Sequence, residues 1–415
     1  MAVTEPGTAP TADGRGTRGA ELRRHNLSAV LAQLHLVGPS SRSQLAGHTG
    51  LNRSTIADLL EELMTLGLAE ESGVATGPGP GRPSPIVRAR PEGATVLAIE
   101  VEVGSFAAAV IGLGGNVLAE RRISRPAPAS SAGDVIEEIV RLAKPMLAPH
   151  LGSLVSVGVA VAGLTRRTDG YVHFAPNLAW HDVALGELLR DGLGAMVPPG
   201  TPIEVANEAD LGALGEHRRG AGRGVSDLLF ISAEVGLGAG IISRGLPLLG
   251  TAGYAGEAGH MLVDPLGHPC ACGARGCWEA EAGENALLRR AGLPTDVHGY
   301  DAVGELLSRA EQGEARVHAA LEETGWRLGQ GTGSLVNLFN PELVVLGGLY
   351  HRLLPWLERP LQAGLSSRAL QVALEMVTIV PSELSEQAPL VGAGELAFAS
   401  LLTDPAGVTP PVVSA

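Results

Sequence analysis

Residues 73–85, GVATGPGPGRPSP, set proline or glycine at almost every second position. Proline removes a backbone donor and glycine costs chain entropy, so this stretch is neither helix nor central strand. It reads as a boundary or an extended loop, and the hydrophobic period changes across it. Upstream, Leu27, Val30, Leu31 and Leu34 fall at i, i+3, i+4 and i+7, the apolar stripe of a helix. Downstream, short apolar strands at 96–99, 106–113, 155–161, 228–232, 241–242 and 343–346 alternate with helical stretches such as 134–147, 207–218 and 325–338. The body is therefore α/β. Each of its halves opens with strand, glycine-rich turn and strand, a weak duplication of organisation. A chain of 415 residues can bury two or three cores. The expected plan is a disordered tail over 1–20, a helical module over 21–90, a body over 91–405 and a flexible tail over 406–415.

In the N-terminal module, Ser41 and Gln44 have capping-box spacing for a short helix. The residues 47–50, Gly-His-Thr-Gly, supply a turn, and Asn52 is the N-cap of a second helix with Ile56, Leu59, Leu60 and Leu63 facing inward. Short helix, glycine-bearing turn and second helix with polar residues at its start are what a helix-turn-helix needs to enter a major groove. A strand at 68–71 and the Pro-Gly segment then form a wing, making the module a winged helix-turn-helix. The DNA-contact candidates are Ser43, Gln44, Asn52, Arg53, Ser54 and Thr55, with Arg82 of the wing reaching into a minor groove. The alternative is a three-helix protein-binding module.

The formal net charge of −14 would discourage nucleic-acid binding, but it is unevenly spread. Residues 1–90 carry nine Arg against eight acidic side chains, and the body carries 21 basic against 36 acidic. No window has the uncharged apolar length of a membrane span, and the first residues do not form a signal peptide. The expected compartment is the cytoplasm, where structural disulfides are rare.

All three cysteines, Cys270, Cys272 and Cys277, lie within eight residues. Three thiols leave one over for disulfides and one short for a tetrahedral metal site. Two histidines, His260 and His268, lie near enough in sequence to be the fourth ligand.

Glu257 and His260 followed by the cysteine run match, position for position, the E-x-G-H and C-x-C-G-x-x-G-C-x-E motifs of a known family, through Cys270, Cys272, Gly273, Gly276, Cys277 and Glu279. With the stretch 205–210, VANEAD, these residues make the chain resemble the ROK family of repressors, open reading frames and sugar kinases. The likeness spans about residues 24–402 and is nearest to the repressor branch, with a winged helix before the sugar-binding body. It implies a two-lobed actin-like, sugar-kinase-like (ribonuclease H-like) fold. It also implies one structural zinc per chain on His260, Cys270, Cys272 and Cys277, within a loop over 257–279. A sugar or sugar phosphate would be held by Gly163, Asn177, Asn207, Glu208, Glu257, His260 and Glu279. The expected partners are a double-stranded DNA operator and further copies of the chain, as homodimer or homotetramer.

Three departures from the kinase pattern set the expectation of a sensor rather than an enzyme. Glu100, Glu102 and Val103 occupy the first phosphate loop, where kinases carry D-x-G-G-T. Glu234 and Val235 replace the Gly and Thr of the second. Glu208 replaces the aspartate that serves as catalytic base, moving the carboxylate by one methylene. No catalytic residue is therefore assigned. The runner-up is an ATP-dependent sugar kinase with an accessory DNA-binding module.

Overall fold

A computed structural model describes residues 14–75, 84–124, 131–194, 196–295 and 300–408. Helix Gly14–Leu36 buries Leu27, Val30, Leu31 and Leu34. It begins at residue 14, inside the tail expected over 1–20. Ser41 caps helix Arg42–Thr49 in the expected box: its Oγ accepts from Gln44 N, and its own N–H donates to Gln44 Oε1 at 2.8 Å. Gly50 closes that helix in the left-handed region, at φ 71°. Asn52 Oδ1 accepts from Thr55 N at 2.9 Å, starting helix Arg53–Thr65, which buries Ile56, Leu59, Leu60 and Leu63.

Strand Ala69–Ala75 pairs antiparallel with Ser84–Ala89, and Ser40–Ser41 pairs with the far side of the latter. The Pro-Gly segment is thus no boundary between modules, since both its ends lie in one hairpin. Pro85 lies opposite Val74, beyond the Ser40–Ser41 pairing, which covers only Ile86 and Val87, so one side of the strand is open at the proline. The change to the body comes at the short turn Pro91–Gly93.

The body holds two five-stranded sheets of one topology. In the first, Thr95–Val101 lies between antiparallel Ser105–Gly112 and parallel Leu154–Val161; Asn116–Ser124 and Ile203–Asn207 form the edges. In the second, Leu228–Ala233 lies between antiparallel Leu237–Ser243 and parallel Leu343–Gly348, with Leu246–Pro247 and Thr378–Pro381 outermost. Helix Glu208–Arg219 leads from the first sheet to the second and crosses helix Ala388–Ala397. Glycine permits that crossing: a Cβ on Gly392 would stand 1.8 Å from the Leu211 carbonyl oxygen, and one on Gly215 would stand 2.4 Å from that of Ala388.

The winged helix is not a separate body. Leu27, Leu31 and Leu34 share a core with Val96, Ala98, Ile111, Phe398 and Leu401. Val408 packs on the same core, beyond the boundary expected at 405. Ser28 donates to the Leu402 carbonyl oxygen at 2.6 Å, and Arg24 pairs with Asp404 at 3.4 Å. At the centre of the joint, Arg219 donates to Glu395 Oε1 at 2.6 Å, to the His35 carbonyl oxygen at 2.8 Å and to the Gly114 carbonyl oxygen at 3.1 Å. His35 is fully buried, with Nε2 3.2 Å from Glu395 Oε2 and Nδ1 accepting from Gly114 N at 2.9 Å. Burial opposes charge on Glu395, but His35 and Arg219 hold its carboxyl down near about 2. Burial also lowers the His35 pKa. A neutral His35 leaves Arg219 as the cation that keeps Glu395 ionised.

Candidate functional site

Asn207 sits where strand Ile203–Asn207 becomes helix Glu208–Arg219 and caps it. Its Oδ1 accepts from Ala209 N at 2.7 Å, and its Nδ2 donates to the Gly163 carbonyl oxygen at 3.1 Å. The amide orientation is therefore fixed, and the Gly163 loop is tied to the helix start. Gly163 has φ +139°, and a Cβ there would lie 2.7 Å from the Phe174 carbonyl oxygen, so only glycine fits.

Asn177 of the first lobe and Glu279 of the second converge on the Gly236 turn. A Cβ on Gly236 would lie 3.3 Å from Asn177 Nδ2 and 2.6 Å from Glu279 Oε2, which accepts from Leu237 N at 3.2 Å. Glu208 Oε1 lies 3.7 Å from a Cβ position on Gly238, while its Oε2 is buried without a hydrogen-bond partner. Burial, with the Glu257 and Asp210 charges adding to it, pushes the Glu208 carboxyl up to about 8. Glu257 is likewise raised, chiefly by burial. Of the expected sugar residues, Asn207 and Glu257 line one pocket, Gly163 is bonded to Asn207, Asn177 and Glu279 meet at the Gly236 turn, and His260 lies beside Glu257.

His260 has two neighbours. Its Nδ1 lies 3.7 Å from Cys270 Sγ, and its Nε2 lies 4.0 Å from Glu257 Oε2. Cys272 and Cys277 sulfurs are 3.7 Å apart, and the ligand atoms of His260, Cys270, Cys272 and Cys277 all lie within 4.8 Å of one another. A tetrahedron with arms of about 2.3 Å has edges near 3.8 Å, so the set fits a metal of that size. Burial pushes the Cys270 thiol up to about 12, a proton that a bound metal would displace. The rival ligand is committed elsewhere: His268 Nδ1 lies 2.9 Å from Glu281 Oε1, and Glu281 also accepts from Arg290 at 2.9 Å.

Carboxyl groups cluster at the turns that end strands Thr95–Val101 and Leu228–Ala233. Glu100 is fully buried and held well above the usual carboxylate range by burial and the neighbouring Glu102. Arg122 pairs with Glu100 at 2.7 Å and with Glu102 at 3.5 Å, and the Ser105 hydroxyl donates to Glu102. Glu234 is raised by burial and by the charges of Glu102, Glu100 and Glu208.

On the winged helix, Ser43, Gln44, Asn52, Arg53 and Ser54 are exposed and Thr55 is half-buried. Gln44 Oε1 and Asn52 Oδ1 are engaged in capping, leaving their amide N–H groups outward. Arg53 has no ion pair among the described residues, and Arg82 lies outside them. A cavity of about 290 Å³ between residues 154–156, 198–202 and 400–401 is lined by no titratable side chain and lies away from the cleft. Sequence reasoning gave no role to Asp210, although it closes the stretch 205–210, and missed the joint around Arg219, which carries no local motif.

Comparison with known proteins agrees with this arrangement. The chain is 28% identical over 373 residues to the xylose repressor of Bacillus subtilis (strain 168), covering 89% of this chain and 94% of that one. A solved ROK family transcriptional regulator, a homologue of the E. coli MLC protein, superposes with TM-score 0.74 at 26% identity, over 92% of this chain and 97% of its own. A ROK family glucokinase from Streptomyces griseus, solved with glucose and AMPPNP, gives TM-score 0.63 at 26% identity; it covers 73% of this chain and 99% of its own. The ROK profile matches residues 96–400, so the cysteine cluster, the paired sheets and the cleft between them are those of a family: the chain belongs to the ROK family.

Proposed function

We propose that the protein is a sugar-responsive, DNA-binding transcriptional repressor of carbohydrate-metabolism genes. One observation carries the reading. Helix Glu208–Arg219 starts among the pocket residues and ends, at Arg219, on the backbone of the winged helix. Closure of the lobes on a sugar moves the start of this helix, and the buried bonds of Arg219 carry the movement to the DNA-binding module. Two winged helices in a dimer or tetramer must meet half-sites about one DNA turn or a multiple apart, so a small rotation weakens binding. The sugar acts only through its differing affinity for the two arrangements.

The kinase alternative is disfavoured by Glu100, Glu102 and Glu234, which would meet a polyphosphate with carboxylates, and by the loss of the aspartate at Glu208. No helix among the described residues is long and apolar enough to cross a membrane, which suits a cytoplasmic regulator. His260, Cys270, Cys272 and Cys277 would hold one zinc as a closed structural site. Zinc there would brace the Glu257–His260 turn against the turn bearing Glu279. The His260 Nδ1 faces the sulfurs, leaving Nε2 for the sugar side.

Operator binding followed by fluorescence anisotropy, with xylose, glucose and N-acetylglucosamine titrated in, tests the reading. Release by one sugar is expected; unchanged operator affinity with all of them, or sugar phosphorylation by ATP at ordinary turnover, would reject it. Arg53→Ala is expected to weaken operator binding about tenfold while leaving stability within about 0.5 kcal/mol. Arg82→Ala should act most on AT-rich flanks. Cys272→Ala should lose the zinc, read by elemental analysis, together with the sugar response.

A further inference from the structure

Asp210 lies in the first turn of helix Glu208–Arg219, and its side chain faces the same pocket as Asn207, Gly238, Gly253 and Glu257. It is 6% exposed, yet its carboxylate accepts no hydrogen bond from any described residue. Gly256 opens the space in front of it, since a Cβ there would stand 3.9 Å from Asp210 Oδ1. Two residues earlier, Glu208 Oε2 is also buried and unpartnered. Its Oε1 lies 3.7 Å from a Cβ position on Gly238, which lines the pocket with Asp210, and a folded chain rarely leaves a buried acceptor unused.

We propose, building on the sugar-sensing reading, that Asp210 is a further ligand-reading residue and that the pocket takes an unphosphorylated sugar. Neighbouring carboxyl groups suit vicinal hydroxyls, each of which can donate one hydrogen bond to a carboxylate oxygen. A carboxyl left unpaired by an analogue lacking that hydroxyl rejects it. A phosphate brings only acceptors and at least one negative charge. It would enter a pocket with the carboxyls of Glu208, Asp210 and Glu257, where Arg167 is the opposing charge felt by Asp210. Arg167 comes in from the other lobe against Gly253, where a Cβ would meet its Cγ at 2.4 Å. Its charge acts on Asp210 and is offset by that carboxyl. The same burial that raises Asp210 to about 7 makes it able to donate as well as accept near neutral pH, which suits a hydroxyl in either orientation.

Calorimetric titration of the full-length protein separates the possibilities. The probes are xylose, glucose, N-acetylglucosamine and the 6-phosphates of the last two, against the parent, Asp210→Asn and Asp210→Ala. The expected result is that one free sugar binds the parent, that its 6-phosphate binds at least about tenfold more weakly, and that Asp210→Ala loses about tenfold in sugar affinity. Asp210→Asn, the same size and still hydrogen-bonding, should lose less, and it keeps the test open if the alanine variant does not fold. A sugar that binds both variants as tightly as the parent would overturn the role of Asp210 and leave sugar sensing standing. Tighter binding of a 6-phosphate than of its free sugar would overturn the ligand class. No binding of any probe to the parent would reject the sugar reading itself.

Discussion

The two ends of helix Glu208–Arg219 treat buried charge in opposite ways. At its start, Glu208 Oε2 is buried with no protein partner, and the buried Asp210 side chain accepts no hydrogen bond among the described residues. At its far end, Glu216 accepts from Ala221 N at 2.8 Å, from Leu384 N at 2.9 Å and from the Ser382 hydroxyl, while Arg219 and Glu395 saturate each other. Asp210, Glu216 and Glu395 are all buried, so burial alone does not separate a site from a scaffold. What separates them is whether the chain itself supplies the partners. An unmet carboxyl beside a pocket costs stability and leaves an acceptor for a ligand; met ones fix the geometry.

Substitutions along this one helix can break the contrast. The largest effect is expected for Arg219→Ala, which leaves Glu395 buried without its cation and should cost about 3–5 kcal/mol in urea denaturation. A loss under about 1 kcal/mol would mean that the joint is not a rigid connection. Glu216→Gln removes acceptors from met donors and should cost about 1–3 kcal/mol. At the other end the sign reverses. Asp210→Asn breaks no protein bond and removes an unfavourable ionisation, so at pH 8 it should stabilise by roughly 1 kcal/mol.

The pH dependence gives the smallest but sharpest reading. The Asp210 carboxyl is raised from 3.8 to about 7, so between those values the folded chain holds a proton that the unfolded chain has released. Stability from this group is therefore complete below about pH 4 and is lost as pH rises towards about 7. Denaturation at pH 5 and pH 8 should show a larger fall for the parent than for Asp210→Asn; parallel falls would remove the distinction between the two ends.

What could be read from the sequence was what is local. The Ser41–Gln44 box and the Asn52 cap each close within three residues, and the cysteine spacing places three donors on one loop. Strand Asn116–Ser124 escaped because it is a largely solvent-facing edge with no clear apolar alternation. Helix Ala388–Ala397 escaped for the opposite reason, being apolar on nearly every side, which leaves no period to detect. The joint escaped because His35 and Glu395 are 360 residues apart in the chain, and no motif spans that distance. Of the pocket, the family resemblance named residues expected to hold a sugar, but the burial of Asp210 depends on Gly256 and on strand Leu237–Ser243 folding over it.

The common core beneath the winged helix limits how this protein can be taken apart. Cutting the chain after residue 90 would uncover Leu27, Leu31 and Leu34 on one side and Ala98, Phe398 and Leu401 on the other, a greasy scar on both fragments. Anyone grafting this DNA reader onto a foreign sensor would have to carry helix Ala388–Ala397 and the segment after it along. The transplantable unit is discontinuous in sequence, with the C-terminal residues serving as the floor of the N-terminal module.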